Sequence, residues 1–221
     1  MEETQNASRE YVLRQANELD IKFVRLWFTD ILGSLKGFAI KVDDLEDAIV
    51  HGVGFDGSAI EGFARYFEND MRAFPDPSTF TLLPWRPRQN AVARMFCDIR
   101  RPQGDAFVGD PRYVLKRNLH KLADLGFTYN VGTELEFFYL KDADNPDPLD
   151  HSGYFDQLSS QPATDLRRET VLNLEAMGIP VKYSHHEAAP SQHEIDLQYN
   201  DALSIADNLI TARLLIKELA Q

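Results

Sequence analysis

The stretch HHEAAPSQHEIDL, residues 185–197, puts three histidines and three acidic residues into thirteen positions. The segments around it, IPVKYSHHE (179–187) and SQHEIDLQY (191–199), read as strands, and Pro190 between them favours a turn. A hairpin follows, one that folds Glu194 back toward Glu187. Such a cluster could be a metal site, a general base with its orienting partner, or a wet surface loop, and the residues of the hairpin alone leave all three open.

A second carboxylate pair precedes it in GTELEFFYL, residues 132–140. A strand alternates its side chains, so Gly132, Glu134, Glu136, Phe138 and Leu140 share one face, with the two glutamates roughly 7 Å apart along the backbone. Val131, Leu135 and Phe137 take the other. Two glutamates in so apolar a strand are costly if buried and unpaired, and a generic Glu-x-Glu is more often a solvent-facing edge. Four glutamates on adjacent strands are different, because they need cations between them. Oxygen-rich sites suit Mg²⁺ or Mn²⁺. His185, His186 and His193 could be ligands, although histidines beside carboxylates more often orient ligands or fill a core.

Elsewhere the chain alternates helices and strands. Helical spacing covers 7–20, followed by strands at 21–30 and 35–40 and a short helix at 45–52 capped by Asp43 or Asp44. Residues 52–78, rich in glycine and aromatics, read as one long loop. Strands resume at 78–85 and 91–99, giving a small α+β domain over 1–104. The remainder, 105–221, opens with a helix that has Asp110 as N-cap, Pro111 in its first turn and Gly126 after its end. After the strand at 127–140 comes a polar loop from 141 to about 160. Helices are expected at 164–178 and from 201 onward.

The chain of 221 residues carries a net charge of -12, with no local basic stripe, so nucleic acid and anionic membranes are poor partners. The lone Cys97 excludes an internal disulfide and makes a reducing cytoplasm the simplest home. No export signal is read at the N-terminus, and no apolar run reaches the ~20 residues that span a bilayer. There is neither a GxxxxGK[ST] loop nor a GxGxxG turn, so any nucleotide chemistry must place phosphates on metals and arginines.

Five motifs, in order, resemble glutamine synthetase of the bacterial and archaeal type I class, with an actinobacterial-like flavour. FDGSAIEGF (55–63) is similar to that family's FDGSSIEGF loop, and NDMRAFPDPSTFTLLPW (69–85) to its PD…TF…PW segment. GTELEFFYL resembles its GxExEFF strand, GYFD (153–156) its GYF motif, and HHEAAPSQHEID (185–196) its HHEVAPGQHEID. The resemblance implies an N-terminal β-grasp domain followed by the first half of a catalytic domain, an antiparallel half-barrel with helices. By motif position, Glu136, Glu187 and Glu194 would hold one Mg²⁺ or Mn²⁺, and Glu134 would contribute to a second on the phosphates of ATP. Asp56 would take a proton from ammonium in a neighbouring subunit's site, Tyr154 would line that pocket, and Tyr199 would pack near adenine. Glutamate, ammonium and ATP are the implied substrates, joined through γ-glutamyl phosphate in a dodecamer-like homo-oligomer.

Three residues depart from the pattern: Ala59 for a serine, Lys182 for a glutamate that contacts nucleotide, and Ser191 for a glycine. Ala59 motivates an alternative, a ligase that joins glutamate to a polyamine. Family members are considerably longer, so the chain is expected to be an N-terminal portion that is inactive by itself. A non-catalytic assembly or regulatory piece is the remaining alternative.

Overall fold

The computed structural model describes residues 2–61, 70–157 and 161–221. The middle of the expected loop at 52–78 and the end of the polar loop at 141–160 lie outside the described residues. The chain divides into two compact units, 1–127 and 128–221.

The first unit is built on a mixed sheet. Helix α1 (Glu2–Glu18) leads into β1 (Ile21–Thr29) and β2 (Leu35–Lys41), then α2 (Leu45–His51). Next come β3 (Val53–Asp56), the short α3 (Ser58–Glu61), β4 (Asp70–Pro75), β5 (Thr81–Leu82), β6 (Ala91–Arg100) and α4 (Pro111–Asp124). The strand order is β2-β1-β6-β4-β3, with β5 on β6 and only the β1–β6 pair parallel. The long loop expected at 52–78 is therefore corrected: its described parts hold two strands and a helical turn. Short strands without a clean period escape detection because pairing, not local pattern, makes them strands. Likewise the strand expected at 78–85 shrinks to Thr81–Leu82.

The β-branched and aromatic residues of β1 and β6 bury Val24, Leu26, Phe28, Ala93, Met95 and Cys97, onto which α1 adds Val12 and Ala16. Each large side chain so buried contributes about 1.5–3 kcal/mol. Gly52 ends α2 with φ 67° and ψ 168°, an extended positive-φ conformation open essentially to glycine alone. Asp110 caps α4, accepting the N–H groups of Arg112 and Ile99 at 3.0 Å each. From that helix Arg112 reaches the sheet, donating to Asp98 at 2.6 Å and Asp76 at 2.9 Å. The packing thus keeps α4 with the first unit, although the motif boundary at 104/105 precedes it.

The second unit is simpler. Three antiparallel strands in the order β7-β9-β8 (β7 Asn130–Phe138, β8 Val181–His186, β9 Gln192–Asp201) form its sheet. Helices α5 (Gln161–Ala176) and α6 (Ala202–Leu219) pack on one face, burying Leu174, Ile195, Leu197, Ala212 and Leu215. Asp201 caps α6 through the N–H of Ser204 at 3.0 Å. No helix among the described residues is long and apolar enough to cross a membrane.

Candidate metal centre on a three-stranded sheet

Register decides which side chains meet. Glu136 lies opposite Glu194, which lies opposite His185, and one row on Glu134 lies opposite Asp196, which lies opposite Tyr183. All six share the face away from α5 and α6. The expected alternation of β7 holds: Glu134, Glu136 and Phe138 are exposed while Leu135 and Phe137 are half-buried.

Two sets of potential ligands form on this face, His185–Glu187–Glu194 and Glu134–Glu194–Asp196, each with one ligand atom per residue within 4.8 Å of the others. Glu194 belongs to both. Burial first, then Asp196 and Glu187 beside it, push its carboxyl up to about 8. Among the described residues no lysine or arginine forms an ion pair with Glu134, Glu136, Glu187, Glu194 or Asp196. A crowd of carboxylates that raises a member's pKa so far is one that a cation would stabilise, and the donors suit a hard divalent ion.

The four glutamates expected to bind metal are therefore brought to one face, but unequally. Glu136 stands beside Glu194 in register, outside both sets, and its Oε2 accepts from Gln192 Nε2 at 2.6 Å. His185 joins Glu187 and Glu194, with Nδ1 3.5 Å from the first and Nε2 3.7 Å from the second. Its Nδ1 also faces the carbonyl of His186 at 3.1 Å. Tyr154, Phe155 and Tyr183 ring it with centroids at 5.6, 4.4 and 5.9 Å. Phe155 holds φ 59°, an uncommon conformation for a bulky residue, while its N–H bonds to the carbonyl of His186. Tyr154 thus reaches the carboxylate face through His185.

The other two histidines point the opposite way. His186 and His193 are buried with Asp150 behind the sheet, His186 Nε2 lying 2.7 Å and His193 Nε2 3.5 Å from its carboxylate. This is a third ligand-like set. A guanidinium can only donate, so the 2.7 Å contact from Arg167 makes His193 Nδ1 an acceptor and leaves the hydrogen on Nε2. A metal would have to displace that hydrogen beside a fixed positive charge. Burial, then Arg167, push His193 down to about 4, so its ring is neutral. Burial opposes ionisation of Asp150, but the bonds from His186 and the N–H of Ser152 win and hold its carboxyl below the usual range. Asp150 also donates its own N–H to Ser191 Oγ at 3.0 Å. Ser191, fully buried at φ 59°, occupies a glycine-like conformation, and its hydroxyl satisfies a buried donor that glycine would leave bare.

Tyr199 lies beyond a bulge. Between the pairs Thr133↔Leu197 and Val131↔Asn200, β9 carries one more residue than β7, which resets its alternation. Tyr199 is 72% exposed, and its Cβ is 3.8 Å from where a Cβ on Gly132 would stand, on the carboxylate face. Asp56, in the first unit, is exposed at the end of β3, and its Oδ1 accepts the N–H of Ser58 at 2.9 Å. That bond, the largest cause, holds its carboxyl below the ordinary value. The sequence reading gave no role to Asp196 or Asp150. The period of two that linked Glu134 to Glu136 also links Glu194 to Asp196, whereas nothing local marks Asp150.

Comparison with known proteins agrees with this layout. Residues 20–102 match the family model described as the glutamine synthetase beta-grasp domain, and residues 108–221 match that of the glutamine synthetase catalytic domain. The glutamine synthetase of Mycolicibacterium smegmatis is 55% identical over 96% of the chain and 49% of its own length. That of Methanosarcina mazei is 48% identical over 96% and 48%. Among solved structures, a "GmaS/ADP complex" superposes with TM-score 0.85 at 29% identity, covering 95% of this chain and 49% of the other. The Plasmodium falciparum glutamine synthetase gives 0.82 at 25% identity, covering 98% and 48%. The chain spans about half the length of the curated relatives it matches. With a β-grasp unit followed by catalytic-domain strands that gather the expected glutamates on one face, the chain belongs to the glutamine synthetase family.

Proposed function

We propose that this chain carries the divalent-cation face of a ligase that forms glutamine from glutamate and ammonium at the expense of ATP, in a reducing cytoplasm. The observation that supports it best is Glu194, shared by two ligand sets on one sheet face with, among the described residues, no lysine or arginine paired to them. By motif, Glu136, Glu187 and Glu194 would hold one Mg²⁺ or Mn²⁺ and Glu134 would contribute to a second. When bound, these ions supply the positive charge that phosphoryl transfer requires at the phosphates of ATP.

In the reaction, a γ-carboxylate oxygen of glutamate attacks the γ-phosphorus of ATP, and ADP leaves with the electrons of the broken P–O bond. Ammonia then attacks the acyl carbon of γ-glutamyl phosphate and inorganic phosphate leaves. Ammonium must first lose a proton, and Asp56, held ionised by the N–H of Ser58, is suited to accept it. In this reading Asp56 acts in a neighbouring subunit of a homo-oligomer, Tyr154 lines the amine pocket and the exposed Tyr199 packs near adenine. A larger amine in place of ammonium is the second reading, favoured by Ala59, whose methyl group cannot bond to ammonium.

The test measures glutamine formation by a protein in which residues 1–221 are followed by the C-terminal half of the M. smegmatis relative. ATP and glutamate are supplied with ammonium, putrescine or spermine. Glutamine formation that depends on Mg²⁺ and falls at least a hundredfold in Asp56→Ala supports the reading. A preference for putrescine or spermine replaces it with the second, and turnover unchanged by Asp56→Ala removes Asp56 from its role.

A further inference from the structure

We infer that Asp196 is a cation ligand in its own right, forming with Glu134 and Glu194 a second divalent-cation subsite beside His185, Glu187 and Glu194. The inference rests on the reading above and goes beyond it, since the family motif attaches no role to this aspartate.

Asp196 follows Glu194 by two residues on β9 and lies opposite Glu134 on β7, so backbone pairing alone puts the three carboxylates together. It is only 3% exposed. Its Oδ1 is buried with no hydrogen-bond partner, an arrangement that costs free energy unless something else satisfies the oxygen. Tyr183 stands opposite Asp196 in register and its hydroxyl interacts with the same carboxylate, a neighbour of the kind that orients metal ligands. One oxygen each from Glu134, Glu194 and Asp196 lie within 4.8 Å of one another. Oxygens bound to one Mg²⁺ at about 2.0–2.1 Å are at most about 4 Å apart, so closing by under about 1 Å brings all three onto a single ion. No nitrogen or sulfur is in this set, which favours Mg²⁺ or Mn²⁺ over zinc.

The simpler reading is that Asp196 serves only as acceptor for Tyr183, or shares a proton with Glu194 for good. Either would satisfy the packing without any ion. The two readings separate on binding stoichiometry.

Mn²⁺ alone is titrated into the full chain, with free Mn²⁺ followed by electron paramagnetic resonance, and each variant is first melted in EDTA to verify folding. The wild-type chain is expected to bind two Mn²⁺. Asp196→Asn, which keeps size and the Tyr183 contact, is expected to bind one, the lost site weakening by tenfold or more. Glu187→Gln is expected to lose the other site and keep the one that includes Asp196. Tyr183→Phe should weaken the Asp196 site severalfold and spare its neighbour. Two sites retained in Asp196→Asn with unchanged affinity overturn the inference, as does a single wild-type site that Glu187→Gln removes and Asp196→Asn does not touch. A wild-type chain that binds no Mn²⁺ overturns both this inference and the cation face on which it rests.

Discussion

The two faces of the β7–β9–β8 sheet carry nearly the same residue types and resolve their charges in opposite ways. Behind the sheet one carboxylate and one guanidinium flank the same two rings: Asp150 bonds to His186 and lies 3.5 Å from His193, whose other nitrogen meets Arg167. In front, five carboxylates gather around one histidine, and among the described residues no lysine or arginine pairs with them. The rear cluster carries its own cation and ties the hairpin to Asp150, although His193 Nε2 and Asp150 Oδ2 stand 3.5 Å apart without a hydrogen bond. The front cluster differs in that its excess negative charge has no lysine or arginine against it among the described residues. Histidines and acids within ligand distance occur on both faces, and Arg167 is present on the rear one alone.

Breaking the rear cluster should therefore have the largest effect on folding. Asp150 ties together His186, His193 and Ser191, and removing one partner of a buried charged network costs about 3–5 kcal/mol. Asp150→Ala is expected to lose that much in urea denaturation, and a loss under about 1 kcal/mol would mean that the rear cluster does not carry the hairpin. The front face should respond in reverse. Glu194→Gln removes a crowded carboxylate, so the chain in EDTA should be as stable as wild type or up to about 1 kcal/mol more so, as stability–function trade-offs go. Its Mn²⁺ affinity should fall about a hundredfold. A destabilised variant with normal Mn²⁺ binding would make the front a structural cluster like the rear.

Asp110, in the first unit, offers a buried carboxylate held by backbone donors alone. Burial pushes it up to about 6, against the two N–H groups it accepts. Its folded pKa then exceeds the unfolded value, so the native chain keeps a proton that the unfolded chain releases between about pH 4 and 6. Stability from this group should fall as pH rises through that window, by about 1–3 kcal/mol, and then level. Denaturation midpoints at stepped pH should show that slope in wild type and a flatter one in Asp110→Asn. The smallest effect is Ser191→Gly, which restores the family residue. Relief of the left-handed serine gains about 1 kcal/mol, but the bared N–H of Asp150 costs about 1–3 kcal/mol, so a net loss near 1 kcal/mol is expected in thermal melts. A net gain would show backbone strain to outweigh the hydrogen bond.

The glutamates of the front face were legible in the sequence and the rear cluster was not, for physical reasons. Strand alternation placed Glu134 and Glu136 together, and Pro190 marked the turn that returns Glu194 to Glu187. Alternation applied once more along β9 reaches Asp196. What a linear pattern cannot carry is a bulge, and the extra residue of β9 near Tyr199 moves that ring to the face that strict alternation denies it. Nor can it carry contacts made across 36 residues, which is how Asp150 becomes the partner of His186. In the first unit, β3 and β4 were read as loop because each is short and owes its extended form to pairing.

The central claim, that the front face is a cation site, is tested most directly by melting the chain in EDTA and in saturating Mn²⁺. An ion present at about a hundred times its dissociation constant stabilises the folded state by about 2.7 kcal/mol. A cation site there should raise the melting temperature of the wild-type chain by several degrees, and the rise should disappear in the Glu187→Gln, Glu194→Gln double variant. A wild-type chain whose melting is unchanged by Mn²⁺, or a double variant that shows the same rise, would contradict it.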